Sequence, residues 1–258
     1  MTIARTLAIV LALIIAPAWA QSTTSAFQPE VGQAGKDVVW VPTPQVLVDK
    51  MLDMAKLTPK DFLMDLGSGD GRTVITAAKR GARAVGIEYN PDMVELSKRN
   101  AIQAGVGDKA AFMKADLFET DLSKATVITM FLLPDINIKL RPKLLKLRPG
   151  TRVVSNSFTM GEWKADEIAR LSSEQGCTDS WCTALLWIIP AQVAGTYTVP
   201  QGELTLKQEF QVLSGTLKTA ERIVPLEGIV RGDAIQFTAG GREYRGVLKG
   251  RNLVLQDK

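Results

Sequence analysis

Between Asp65 and Arg72 the chain reads Asp-Leu-Gly-Ser-Gly-Asp-Gly-Arg, with glycines at every second position behind a short apolar run. Glycines so spaced bare the backbone, and a ligand can then approach more closely than any Cβ would allow. Dinucleotide sites use G-x-G-x-x-G, but Arg72 stands where the third glycine of that pattern belongs. A P-loop needs Gly-Lys-Ser/Thr, which does not follow. A pyrophosphate cradle is therefore disfavoured. The acids make the same point: Asp65 precedes the glycines, and Glu88 and Asp116 each close a later apolar run. Three carboxylates at one edge repel a polyphosphate. They accept hydrogen bonds from a ribose, an exocyclic amine or an ammonium group, and they favour a cationic centre.

S-adenosylmethionine, a nucleoside carrying a sulfonium and an amino acid, meets that inventory. In this reading Glu88 holds the ribose hydroxyls and Asp116 the adenine amine, while Asp65 with the Gly67 and Gly69 backbone holds the methionine part. Ser68 and Gly71 complete the loop, and Thr43 closes the pocket. Taken singly, a strand-end acid is a common loop former and a glycine serves a tight turn. The joint register, an acid after each of three successive strands plus the glycines after the first, carries the cofactor reading.

These residues need a frame. Helical spacing of apolar residues predicts a helix over 44–55, followed by a strand at 62–66 and a helix at 72–80. A second strand is expected at 84–88, then a helix opened by Asn90 as N-cap with Pro91 in the first helical position. Strands follow at 111–115 and at 126–132, whose near-continuous apolar run suits a central parallel strand. A helix over 136–147, a strand at 152–156 and a pair of strands flanking the cysteines and ending at 184–189 complete the pattern. Such alternation marks an α/β fold, a doubly wound, mostly parallel sheet that binds ligands at the carboxyl ends of its strands. From residue 191 the pattern changes to short alternating runs divided by Gly and Pro, as in a small all-β antiparallel domain. The domains are therefore 38–190 and 191–258, preceded by a flexible arm over 21–37.

Composition narrows the chemistry. No histidine occurs among the 258 residues, which removes Ser/His triads, Cys/His dyads and imidazole metal sites; with two cysteines a zinc site is not expected either. A net charge of +4, without basic residues interleaved with aromatics, argues against nucleic acid as a partner. At the N-terminus Arg5, an apolar stretch over 7–15 and Ala18-Trp19-Ala20 form the pattern of a cleaved leader, with an uncleaved anchor as the alternative. Cleavage after Ala20 leaves no membrane span and a periplasmic or secreted body. In an exported chain Cys177 and Cys182 are candidates for a disulfide, two unpaired thiols being the other reading.

The motif Asp65 to Gly71 resembles the first motif, D/E-x-G-x-G-x-G, of class I S-adenosylmethionine-dependent methyltransferases. More narrowly, "VPTP" (41–44), "GIEYNP" (86–91), the stretch 125–155 and "MGEW" (160–163) resemble the FAM173-type protein-lysine methyltransferases and their bacterial relatives. The resemblance spans residues 38–190 and implies methyl transfer, with lysine of a protein as acceptor. It departs where "FLLPDI" replaces the Asn/Asp-Pro-Pro-Tyr/Phe motif of nucleobase and glutamine methylases. Asp135 and Asn137, after the fourth strand, are the candidate catalytic residues, Asp135 doubling as a plain helix cap; Trp40 and Trp163 are candidate pocket walls. Because this cofactor is made in the cytoplasm, export keeps a second class open: a non-catalytic domain binding the cofactor or a related nucleoside, or a partner-binding module.

Overall fold

The computed structural model describes residues 27–178, 180–250 and 252–256. The residues expected to form a leader, 1–20, and the first residues of the expected arm, 21–26, lie outside these.

In chain order the first domain contains α1 (Gln45–Met54), β1 (Phe62–Leu66), α2 (Arg72–Lys79), β2 (Arg83–Glu88), α3 (Pro91–Gln103), β3 (Ala110–Lys114), β4 (Val127–Met130), α4 (Pro134–Leu144), β5 (Arg152–Asn156), β6 (Glu167–Arg170) and β7 (Thr183–Ile188). The local reasons are those of the sequence. Asn90 caps α3 by accepting the Asp92 N–H at 2.9 Å, with Pro91 in the first turn, where its missing N–H costs nothing. Every side chain of β4 is buried, as a strand covered on both faces requires. That strand stops at Met130 rather than at 132, because Phe131 and Leu132 leave the ladder to line a cleft.

The strands form one sheet in the order β3-β2-β1-β4-β5-β7-β6, parallel except for β7, which runs antiparallel to both β5 and β6. One face packs on α1, α2 and α3 through Leu47, Leu52, Val74, Ala77, Val94 and Ala101; the other packs on α4 through Leu140 and Leu144. Strand order reverses between β1 and β4, so the loops after these two strands diverge and open a crevice at the carboxyl edge.

The second domain is an antiparallel meander of β8 (Gly195–Val199), β9 (Gly202–Glu209), β10 (Val212–Lys218), β11 (Ile223–Arg231), β12 (Ala234–Ala239), β13 (Arg242–Lys249) and β14 (Asn252–Gln256). Its edge strands β8 and β14 touch, so the sheet nearly closes on itself. Alternate residues such as Leu204, Leu206, Leu213, Leu217, Ile235 and Phe237 fill a core of its own, which begins at Ala191 and Val193. Phe210, in the β9–β10 turn, stacks on Trp163 of the first domain at 5.9 Å, and Gln211 donates to the Lys164 carbonyl at 2.7 Å. Trp163 is therefore a domain-joining core residue, wholly buried against Trp187 and Phe210, and not a wall of the cleft.

Candidate active site

An open cleft lies at the carboxyl edge, between the loops after β1, β2, β3 and β4. Asp65, Gly67, Ser68, Gly69, Glu88, Asp116 and Thr43 all line it, and so does Trp40. Gly71, Asp135 and Asn137 do not.

Asp65, next to last in β1, is in register with Thr129 of β4, whose hydroxyl donates to Oδ1 at 2.6 Å. Burial pushes the Asp65 carboxyl up to about 7; the Thr129 bond opposes this, and the nearby charges of Asp70 and Glu88 add to it. Carboxylates crowded in this way are relieved by a bound cation.

Glu88 ends β2 and accepts two backbone amides, Gly69 N–H at 3.0 Å and Asn90 N–H at 2.9 Å. The glycine loop is further held by Ser97, whose hydroxyl donates to the Gly69 carbonyl at 2.7 Å, and by Asn100, which donates to the Asp70 carbonyl at 3.0 Å. Gly69 adopts φ 54° and a Cβ there would come within 2.6 Å of Trp40 Nε1, so its bareness lets the Trp40 indole of the cleft wall pack against the loop. Gly71 serves the fold instead: it is the left-handed N-cap of α2 (φ 84°), and a Cβ would lie 2.7 Å from the Phe112 ring of β3. The Ser68 hydroxyl turns under the loop toward Gly86 and, among the described residues, has no hydrogen-bond partner.

Asp116 follows β3, and its carboxylate is ion-paired with Lys36 at 2.5 Å and accepts the Phe118 N–H at 2.8 Å. The Lys36 bond holds its carboxyl below the ordinary carboxylate range. Residues 32–40, placed by the sequence partly in a flexible arm, form a narrow hairpin instead: Gly32 N–H bonds to the Trp40 carbonyl and Trp40 N–H to the Gln33 carbonyl. The hairpin borders the cleft opposite the glycine loop. Thr43 anchors its end, accepting from Asn156 at 3.3 Å while its carbonyl accepts from Arg72 at 2.9 Å.

The candidates after β4 fall elsewhere. Asp135 is exposed in the first turn of α4. Asn137 is fully buried and donates to the carbonyls of Phe158 and Thr159, both at 3.2 Å. A group so enclosed positions a loop and does not touch a substrate in the cleft. Thr129, Asp70, Arg72 and Lys36 were not foreseen; Thr129 alone had a signal, as the polar residue within "VITM".

The donor set suits a cationic adenosine derivative: a bared loop, a doubly braced carboxylate at the end of β2, and crowded acids beside it. Comparison with known proteins agrees. The chain is 45% identical over 137 residues to a protein-lysine N-methyltransferase of Saccharolobus islandicus, covering 52% of this chain and 85% of that protein. The chain belongs to the class I S-adenosylmethionine-dependent methyltransferases. The family model of the ANTKMT methyltransferase domain matches residues 65–167. A solved structure described as an RNA methyltransferase from Salinibacter ruber, in complex with S-adenosyl-L-homocysteine, shares 48% identity at a TM-score of 0.55, over 59% of this chain and 96% of that one. The adenine nucleotide translocase lysine N-methyltransferase of Mus musculus is 35% identical over 119 residues, covering 45% of this chain, and the chain spans only 52% of its length.

S-adenosylmethionine supplies a methyl group already activated by its sulfonium, so this methyltransferase mainly has to hold and align. The hairpin carrying Trp40 forms one wall of the cleft.

Proposed function

We propose that this methyltransferase acts on the side-chain nitrogen of a lysine in a protein, outside the cytoplasm. The observation that carries the acceptor is the 45% identity, over 85% of its length, to an archaeal protein named for that reaction. The mouse relative is named for a lysine as well. A lysine must arrive neutral, and a cleft walled by Trp40, Phe131 and Leu132 favours the uncharged amine by desolvation. Its nitrogen lone pair forms the new bond to the methyl carbon, the carbon–sulfur bond breaks toward sulfur, and the surplus proton leaves to solvent.

The compartment rests on the leader pattern over 1–20 and on the Cys177–Cys182 disulfide, a bond that persists under oxidising conditions. The cofactor roles proposed are Asp65 for the ammonium, Glu88 for the ribose and Asp116, once released by Lys36, for the adenine amine.

The test is incubation of the purified mature chain with methyl-labelled S-adenosylmethionine and separate periplasmic protein and RNA fractions. Label on lysine side chains, mapped by mass spectrometry, is the expected result. Label on RNA, or on another residue type, contradicts the acceptor; binding without any transfer returns the chain to a cofactor-binding role.

A further inference from the structure

Three aromatic rings meet beside the cofactor cleft. Phe131 and Phe158 lie 5.9 Å apart at 20°, and Trp181 is tilted against both, 5.8 Å from Phe131 and 5.2 Å from Phe158. Phe131 follows β4 and lines the cleft; Phe158 follows β5; Trp181 stands just before β7, which runs the opposite way, so all three gather at the carboxyl edge. Trp181 is 37% exposed and lies outside the stretch matched by the family model.

Each member is held by a device of its own. Ser157, which is not a glycine, has φ 60°, and the Phe158 N–H bonds back to the Asn156 carbonyl at 2.7 Å, a strained three-residue turn that aims the Phe158 ring. Buried Asn137 grips the Phe158 and Thr159 carbonyls. The Cys177–Cys182 disulfide closes the short loop that presents Trp181. Strain, a buried amide and a crosslink all converge on rings that solvent reaches, an arrangement that packing alone does not require.

We propose that Phe131, Phe158 and Trp181 form the acceptor channel, seating the methylene stem of the substrate lysine so that its amine enters the cleft past Phe131. This rests on the lysine reading above. A lysine stem buries along apolar faces, and its head is drawn to aromatic rings before it loses its proton. A stacked nucleobase is the less favoured occupant, because its phosphates call for free cations. Those of the adjoining helix α4 are engaged, Arg141 with Glu162 and Lys139 over the Phe118 ring.

The test needs no identified acceptor. Analogues of the cofactor with a tertiary amine in place of the sulfonium carry a methyl, a butyl or a benzyl arm, and their affinities for the full mature chain are measured by calorimetry. The butyl arm, which copies the lysine stem, binds about tenfold more tightly than the methyl arm. In Trp181→Ala and Phe158→Ala that advantage disappears while methyl-arm affinity stays within about twofold, which also reports a folded cofactor site; Trp181→Phe keeps most of the advantage. Equal affinities for the methyl and butyl arms in the wild type, or an advantage that survives Trp181→Ala, overturn the channel. A benzyl advantage without a butyl one overturns it in favour of a flat acceptor. If no analogue binds, the cofactor assignment itself fails and the channel with it.

Discussion

Glu88 accepts the Gly69 N–H at 3.0 Å, so the acid proposed for the ribose is also the brace of the glycine loop. Its other oxygen takes the Asn90 N–H at 2.9 Å, at the start of α3. In Glu88→Gln one of these amides faces an NH2 group and loses its acceptor. Hydrogen bonds to a charged group are worth about 1.5–3 kcal/mol each. The variant should therefore bind S-adenosylmethionine at least about tenfold more weakly and melt several degrees lower, as calorimetry and circular dichroism would show. An unchanged melting temperature would remove the bracing role.

Cofactor affinity should depend on pH through Asp65. Its carboxyl, pushed up to about 7, is largely protonated at pH 6 and charged at pH 8. A cationic ligand prefers the charged form, so S-adenosylmethionine should bind about tenfold more weakly at pH 6 than at pH 8. Near pH 7 binding should release a proton, seen as a calorimetric heat that varies with the ionisation enthalpy of the buffer. Asp65→Asn should abolish that release.

The same residue should cost the free protein stability. The folded-state value of about 7 lies above the ordinary 3.8, so the cost is absent below pH 3.8, where Asp65 is protonated in both states, grows as pH rises toward 7, and is complete above it. At pH 8 the ligand-free Asp65→Asn chain, which keeps an acceptor for Thr129, should be more stable than wild type by about 1–4 kcal/mol. Denaturant melts at pH 5 and pH 8 check this: the gain should shrink at pH 5. A less stable variant at pH 8 would contradict the electrostatic account.

Gly71 and Gly69 should separate fold from ligand. Both glycines are left-handed, but a Cβ at Gly71 is jammed between the Phe112 ring and the Ser97 Cβ of the packed sheet and helix, whereas one at Gly69 clashes chiefly with the Trp40 side chain of the hairpin. Gly71→Ala should destabilise by about 2–4 kcal/mol in denaturant melts. Gly69→Ala should cost less stability and more cofactor affinity.

Most of the frame was legible because its elements satisfy local rules: the Asn90 cap with Pro91, the apolar run that became β4, and the alternation that became the second domain. The carboxyl-edge acids were legible for the same reason, since strand ends fix their register. What escaped depends on contacts distant in sequence. Lys36 meets Asp116 across 80 residues, and no local pattern announces that ion pair. Asn137 looked like a site residue because it follows a strand that borders the site; only the fold shows its amide turned inward to the Phe158 loop. Trp163 likewise could not be told from a cleft residue until the second domain placed Phe210 against it.

Asp65, Glu88 and the bared loop between them should form a cleft that takes a cationic adenosine and refuses a polyphosphate nucleotide. Calorimetric titration of the purified chain with S-adenosylmethionine and, in parallel, with ATP separates the two ligands. Saturable binding of S-adenosylmethionine at one site per chain, with no measurable binding of ATP, is the expected result. Absence of S-adenosylmethionine binding, or tighter binding of ATP, would contradict it.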